Sequence, residues 1–112
     1  MWFGLYIFDI YTNYIYNFIV IKSFKDAETE KVFNGEFSTS LPQSIQKTAL
    51  RKLIMLNNSE TLNDLRIPPN NRLEALKGNL KDKYSIRIND QYRIIFKFTN
   101  NGIYEVEITD YH

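Results

Sequence analysis

The sequence has no cysteine and only one histidine, His112, among its 112 residues. Without thiols a chain forms neither disulfides nor thiolate metal sites, and a single imidazole excludes a zinc site built from several histidines. Structural disulfides are typical of oxidising compartments, so their absence favours a cytoplasmic protein.

An excess of charge of either sign is also lacking, since 14 basic residues face 13 acidic ones and the formal net charge is +1. Residues 1–20 contain one of the acids, Asp9, and no Lys or Arg, so residues 21–112 carry a charge of +2. A charge this small permits an RNA partner without requiring one. At this length we expect a single domain with a modest hydrophobic core.

Residues 1–20 are rich in aromatic side chains, with eight among the twenty, and no basic residue precedes Lys22. A secretion signal begins with a basic segment and ends at a small-residue cleavage site, and neither is present. A transmembrane helix needs about 20 consecutive apolar residues. Asp9 lies near the middle of the segment, where an aspartate costs about 2.5–3.5 kcal/mol on insertion scales. The pattern therefore disfavours both a signal peptide and a membrane anchor.

The composition of this segment suggests another origin. Ile, Tyr, Phe and Asn fill 13 of the twenty positions, and their codons consist wholly or largely of A and T. Translated upstream DNA would have this composition, with Val20 corresponding to a GTG start codon. We therefore interpret residues 20–112 as the domain and residues 1–19 as an atypical extension. Three alternatives stay open: the segment is absent from the native protein, it is a peripheral and poorly packed extension, or it acts as a membrane tether.

Two helices are predicted after a short β-compatible run at Val20–Phe24. Asp26 has the place of an N-cap before a short helix that ends at Asn34-Gly35. Ser40 has the same place before a longer helix with Pro42 in its first turn. Apolar residues at helical spacing give that helix one buried stripe, formed by Ile45, Ala49, Leu53 and Leu56. Lys52 is predicted beside this stripe, together with Lys47 and Arg51.

The C-terminal half alternates between apolar and polar residues in three runs, Tyr84–Ile88, Tyr92–Phe98 and Ile103–Ile108. Asn101-Gly102 between the last two runs is a strong hairpin signal. Ile67–Asn71 contains two prolines and is predicted to lack regular structure. The whole pattern predicts an α+β fold, in which two N-terminal helices pack on a small, mainly antiparallel twisted sheet that Val20–Phe24 joins.

Basic residues follow one another along the predicted sheet and the loop before it: Lys77, Lys81, Lys83, Arg87, Arg93 and Lys97. Arg87, Arg93 and Lys97 alternate so that they share one face, which we expect to be solvent-exposed. Such a face could bind a phosphate backbone. Lys and Arg also occupy any solvated sheet face, and composition alone favours that ordinary interpretation.

Asp110, Tyr111 and His112 stand at the end of the last predicted strand. These are residue types that transfer protons, and histidine titrates near neutral pH. A terminal histidine is more often part of a frayed tail. The residues alone therefore lead to a small α+β domain with a cationic sheet and leave its chemistry open.

Four stretches together resemble the HigB-type toxins of the RelE/ParE superfamily. They are Ile21–Phe24 (IKSF), Arg72–Gly78 (RLEALKG), Tyr84–Phe96 (YSIRINDQYRIIF) and Asp110–His112 (DYH). The resemblance covers residues 20–112. It implies a RelE/ParE-like fold and a toxin of a type II toxin–antitoxin system.

The resemblance further implies a metal-independent endoribonuclease that cuts mRNA on the ribosome and needs no cofactor. Its implied partner is a HigA-type antitoxin with a helix-turn-helix domain, through which alone the toxin would reach operator DNA. No membrane partner is implied. The superfamily also includes inhibitors of DNA gyrase, so a gyrase inhibitor or a non-catalytic binding module is the alternative.

Site residues follow from the same resemblance. Lys77 and Arg93 match positions that grip the scissile phosphate, and Asp110, Tyr111 and His112 match the catalytic cluster. The RNA-binding set would comprise Lys77, Lys81, Lys83, Arg87, Arg93 and Lys97. Some relatives have a second histidine where this chain has Glu74, so either His112 does more of the proton transfer or Glu74 replaces the imidazole. Asn89 stands where some relatives have a further arginine.

Overall fold

The computed structural model of the chain describes residues 20–78 and 82–111. The predictions made for residues 1–19, for Lys81 and for His112 therefore lie outside the described residues. Within the described ranges no helix is long and apolar enough to cross a membrane.

Helix α1 spans Ala27–Phe33 and begins as predicted at Asp26, whose Oδ1 accepts a hydrogen bond of 2.7 Å from the backbone N–H of Thr29. Helix α2 spans Gln43–Asn57, and its N-cap is Pro42 rather than Ser40. The prediction for Ser40 was wrong because Pro42 keeps an extended ψ of 134°, so the helix begins at Gln43 and Ser40 lies in the loop before it. In that loop the Ser40 backbone N–H donates to the Ser38 hydroxyl, 3.1 Å away. That loop is held by its own bonds and the helix starts only after it.

Two 3₁₀ helices follow, Leu62–Arg66 and Pro69–Asn71. The prediction that Ile67–Asn71 lacks regular structure was wrong for the second of them. Pro69 is its first residue, a position at which a missing N–H costs nothing and the fixed φ of proline suits the turn. The residue after it, Arg72, has left-handed backbone angles, φ 47° and ψ 57°.

The sheet has four antiparallel strands in sequential order: β1 Glu74–Ala75, β2 Lys83–Arg87, β3 Tyr92–Thr99 and β4 Gly102–Asp110. Residues 20–25 run parallel to β4, with bridges from Ile21 to Ile103 and from Phe24 to Val106. Val20–Phe24 thus joins the sheet through isolated bridges rather than as a regular strand. The α+β class with two helices packed on an antiparallel sheet is confirmed.

The core lies between the helices and one face of the sheet. It comprises Val32, Ile45, Ala49, Leu53, Leu56, Leu65, Ile86, Ile88, Ile94, Phe96, Ile103, Val106 and Ile108. Lys52 is 3% exposed, so its predicted place beside the buried stripe was wrong. Three residues after Ala49 on α2, it falls on the same inward surface of the helix.

Side chains that alternate with the core residues form the opposite face of the sheet, which we call the open face. On β2 it carries Lys83, Ser85 and Arg87, and on β3 it carries Arg93, Ile95 and Lys97. The prediction that Arg87, Arg93 and Lys97 share a face is consistent with the register, in which Arg87 pairs with Arg93 and Lys83 with Lys97. The expected exposure was wrong for Arg93, which is only 6% exposed.

Candidate active site on the open face

Arg93 is a buried cation fixed by three hydrogen bonds. Its Nε donates to the Ser85 hydroxyl over 2.8 Å, and its Nη2 donates to the Ser85 carbonyl over 3.3 Å and to the Arg72 carbonyl. Among the described residues these bonds involve Nε and Nη2, while Nη1 carries two further N–H donors. A guanidinium held along one edge in this way can present its other edge to an anion.

Tyr111 covers this guanidinium. The Cζ atom of Arg93 lies 5.4 Å from the centre of the Tyr111 ring, within the range of a cation–π contact. The backbone N–H of Tyr111 donates to the Gln91 carbonyl over 2.7 Å, which ties the residue after β4 to the turn before β3. Tyr111 as a whole is 45% exposed and therefore reachable from solvent.

Glu74 lies on the same side of the sheet. It pairs with Ser85 across β1 and β2, and Ser85 is the residue that binds Arg93. Burial lowers the pKa of the Arg93 guanidinium, while the nearby Glu74 and Tyr111 act in the opposite direction. The structure thus brings Arg93, Tyr111 and Glu74 together.

Asp110 lies on the opposite face of the sheet from Arg93 and Glu74. It pairs with Tyr92 across β3 and β4, and Tyr92 alternates with Arg93. The Gln91 side chain donates to its Oδ2 over 2.9 Å at the end of the strand. Asp110 therefore neighbours Tyr111 along the chain without sharing its face of the sheet.

Lys77 is exposed and lies two residues beyond β1. The ladder between β1 and β2 continues for one residue, since the N–H of Leu76 donates to the Lys83 carbonyl over 2.9 Å. Gly78 then takes a φ of 71°, a left-handed value that suits glycine at a turn. Lys77 thus lies at the same edge of the sheet as Glu74.

The other described cations of the predicted RNA-binding set lie along the open face. Arg87 forms a 2.6 Å ion pair with Asp90, and its hydrogen bond lowers the pKa of that carboxyl. Lys83 forms a 2.8 Å ion pair with Glu105. Lys97 is four residues from Arg93 on β3, about 13 Å away at the usual rise of a strand, and lines a cleft of about 380 Å³. The cations therefore extend from the Arg93 end of β3 towards its other end.

Sequence reasoning missed the groups that hold Arg93, namely Ser85 and the carbonyl of Arg72. The Ser85 contact could have been found, because a hairpin that pairs Arg87 with Arg93 places Ser85 diagonally opposite Arg93 on the same face. The left-handed conformation of Arg72 gives no such signal. Within residues 20–78 and 82–111, no three Asp, Glu or His side chains cluster closely enough to hold a metal ion.

Comparison with known protein families gives a match over most of the chain. The family model described as RelE-like toxin of type II toxin-antitoxin system HigB matches residues 22–112. The chain belongs to this HigB-like toxin family. The resemblance noted in the four sequence stretches is thereby confirmed.

Three individual proteins are similar to this chain. Toxin HigB-1 of Vibrio cholerae is 45% identical over 78 residues, which are 69% of this chain and 82% of that protein. An uncharacterized protein of Haemophilus influenzae is 45% identical over 69 residues, 62% of this chain and 68% of that protein. The YoeB dimer structure from Staphylococcus aureus matches with a TM-score of 0.54 and 24% identity, over 84% of this chain and 97% of that chain. This last likeness shows the fold.

Membership of the family sets the general role of the protein. It is a HigB-like toxin of a type II toxin–antitoxin system, and such a system pairs the toxin with an antitoxin. RelE-like toxins are in general endoribonucleases.

Proposed function

We propose that this HigB-like toxin cleaves mRNA on the ribosome, and that the scissile phosphate binds at Arg93. The observation that carries the proposal is the fixed guanidinium, bonded to Ser85 and Arg72 and covered by the Tyr111 ring. A donor array that is rigid before the substrate arrives stabilises developing charge without reorganising during the reaction.

The reaction is the attack of a ribose 2′-OH on the adjacent phosphate. The bond from phosphorus to the 5′-oxygen breaks, so that one fragment ends in a 2′,3′-cyclic phosphate and the other begins with a 5′-hydroxyl. One group must accept the proton of the 2′-OH and one must donate a proton to the leaving oxygen. Arg93 and Lys77 would stabilise the negative charge that develops on the phosphate.

We assign proton transfer mainly to His112, the only imidazole of the chain. Glu74 is the second proton-transfer group, and its pairing with Ser85 supports a place beside the phosphate. Tyr111 donates a hydrogen bond, and Asp110 orients the C-terminal residues from the other side of the strand. The positive charge of Arg93 and Lys77 offsets the repulsion between the Glu74 carboxylate and the RNA.

The remaining cations form the path of the RNA backbone. Each of them would contact a phosphate: Lys81, Lys83, Arg87 and Lys97. In the free protein Lys83 is paired with Glu105 and Arg87 with Asp90. These two cations would have to leave their acidic partners to bind RNA. The loss of the ion pair reduces the binding free energy that each of these two contacts with RNA contributes. Weak binding to free RNA therefore accords with a toxin that meets its substrate on the ribosome.

The reaction as proposed uses protein side chains and no metal ion or other cofactor. The toxin acts in the cytoplasm, where translating ribosomes are found. Its partner is a HigA-type antitoxin with a helix-turn-helix domain, which neutralises the toxin and brings the complex to operator DNA.

Expression without the antitoxin tests the proposal in cells. Growth should stop, and mRNAs should be cut inside translated codons while untranslated RNAs stay intact. The Arg93→Ala variant should fold and permit growth. Arrest with intact mRNA would contradict the proposal, and a loss of DNA supercoiling by purified gyrase would then indicate a gyrase inhibitor.

A further inference from the structure

Lys52 is a buried cation that the proposed reaction does not use. It lies on the inward surface of α2 and is 3% exposed. Among the described residues its hydrogen-bond partner is Oδ1 of Asn71, a neutral amide rather than a carboxylate. Burial lowers the pKa of Lys52, and the charges of Arg51 and Arg87 lower it further. A lysine in this environment costs stability, so a role for it has to be looked for.

Asn71 is fully buried and connects several segments. Its Nδ2 donates to the Leu65 carbonyl over 3.1 Å and to the Ile67 carbonyl over 3.4 Å, and it lies 3.2 Å from the sulfur of Met55. Every polar atom of the side chain is therefore used. These bonds fix the second 3₁₀ helix against the first one and against α2.

The next residue reaches the candidate active site. Arg72 leaves the 3₁₀ helix with left-handed backbone angles, which a non-glycine residue keeps only when its surroundings hold it there. Its N–H donates to the Pro69 carbonyl over 3.1 Å, and its own carbonyl accepts from Nη2 of Arg93. A continuous series of bonds thus joins Lys52, Asn71, the Arg72 backbone and the Arg93 guanidinium.

We propose that Lys52 and Asn71 are positioning residues for Arg93: together they hold the Arg72 carbonyl where it fixes the guanidinium for the scissile phosphate. The inference rests on the proposed function for its consequence in catalysis. The positioning itself is a property of the free protein and can be measured without RNA.

Three variants of the full chain separate positioning from general stability. Lys52→Met removes the ammonium at similar volume, and Asn71→Ala removes the amide that it binds. Ser38→Ala is the matched control, since Ser38 is also fully buried and its hydroxyl bonds Glu28, but it lies in the loop before α2. Where Lys52→Met does not fold, Lys52→Gln takes its place, because its amide is one atom too short to reach Asn71 in the same way.

The first measurement is the Nε–H signal of Arg93 in ¹⁵N NMR spectra, assigned by its loss in Arg93→Lys. In the wild type we expect a resolved signal that exchanges slowly with water, since this N–H binds the buried Ser85. Lys52→Met and Asn71→Ala should speed the exchange about tenfold or more. Ser38→Ala should leave the exchange at the wild-type rate.

The second measurement is single-turnover cleavage of mRNA on ribosomes. Lys52→Met and Asn71→Ala should each lower the maximal cleavage rate about 10- to 100-fold, the effect of a misplaced catalytic group. The toxin concentration that gives half of that rate should change less than about threefold, because the surface that meets RNA is intact. The double variant should be no slower than the more affected single variant, since both changes break one series of bonds.

The outcomes are distinct. In one outcome, Lys52→Met and Asn71→Ala lower the melting temperature and yet show the same Arg93 Nε–H exchange rate and the same maximal cleavage rate as Ser38→Ala. That result would overturn the positioning role. If the wild type does not cleave mRNA at all, the proposed function fails, while the exchange measurement still decides whether the two residues position Arg93.

Discussion

A single arginine dominates the open face at the scale of residues. Arg93 is buried on the side of the sheet that faces away from the helices, where a strand residue would ordinarily be wet. Ser85, the Arg72 carbonyl and the Tyr111 ring replace the water that the guanidinium loses. Burial of a charge is costly unless hydrogen bonds compensate for it, so these contacts offset part of that cost while they fix the position of the guanidinium.

Arg93→Lys tests whether the shape of the guanidinium matters or only its charge. The lysine ammonium keeps the charge but cannot bridge Ser85 and Arg72 while also presenting a second edge. We expect mRNA cleavage to fall about 10²- to 10³-fold, the effect of losing one fixed donor to developing charge. The cleavage rate on ribosomes measures this, and a rate within about threefold of the wild type would show that charge alone suffices.

Lys52 gives a prediction on pH and stability. Its pKa is lowered in the folded protein from an ordinary value of 10.5 by burial and by Arg51 and Arg87. Between the two values the unfolded chain binds more protons than the folded one, so the free energy of unfolding contributed by this group rises with pH.

Urea unfolding of the wild type and of Lys52→Met at several pH values between 7 and about 10.5 measures the effect. The wild type should gain stability relative to Lys52→Met as the pH rises through the lowered pKa. The other titrating groups cancel in the comparison. A difference that does not change with pH would mean that burial does not perturb the lysine.

At the scale of elements, the short helix α1 depends on its cap. Asp26 accepts from the backbone N–H and the hydroxyl of Thr29, and that hydroxyl accepts from the N–H of Ile108 in β4 over 2.9 Å. The cap thus also orients the contact between helix and sheet. A seven-residue helix has little stability of its own.

Asp26→Ala should lower the free energy of unfolding by about 0.5–2 kcal/mol, the usual cost of losing an N-cap. Glu30→Ala is the control, because Glu30 is exposed on the same helix and the change should cost less than about 0.5 kcal/mol. Urea denaturation of both variants gives the comparison. Equal effects would contradict the role of the cap.

The strands were predictable where the alternation of side chains is strict. Tyr92–Phe98 and Ile103–Ile108 lie within β3 and β4, because each alternating residue meets a core on one side only. The start of α2 was not predictable in the same way, since Ser40 is capable of capping but Pro42 keeps an extended ψ of 134° and delays the helix to Gln43. The burial of Lys52 and Arg93 was also out of reach, since it depends on Asn71 and Arg72, whose conformations follow from tertiary contacts.

Of the candidate site, the sequence indicated which residue types matter but not how they are held. The motifs pointed to Arg93, Tyr111 and Glu74, which the structure brings together. They also grouped Asp110 with Tyr111, although Asp110 pairs with Tyr92 and Tyr92 alternates with Arg93 along β3. The part played by His112 stays a prediction.

At the scale of the whole molecule, the family match begins at residue 22, and among the described residues Val20 already bonds to β4. We therefore propose that residues 20–112 form the working toxin domain. Deletion of residues 1–19 should leave the melting temperature within about 2 °C, less than the shift that 1 kcal/mol causes in a domain of this size. Growth arrest should also persist. Loss of folding or of arrest would show that the segment belongs to the domain.

The proposed function requires that the open face cuts mRNA on the ribosome with Arg93 at the phosphate. Its most direct test uses the purified full chain, ribosomes with a codon of a defined mRNA in the decoding site, and mapping of the RNA ends. We predict a cut within that codon that leaves a 2′,3′-cyclic phosphate, occurs without added metal beyond what ribosomes need, and is lost in Arg93→Ala. Cleavage by Arg93→Ala at the wild-type rate, or none by the wild type, would contradict the account.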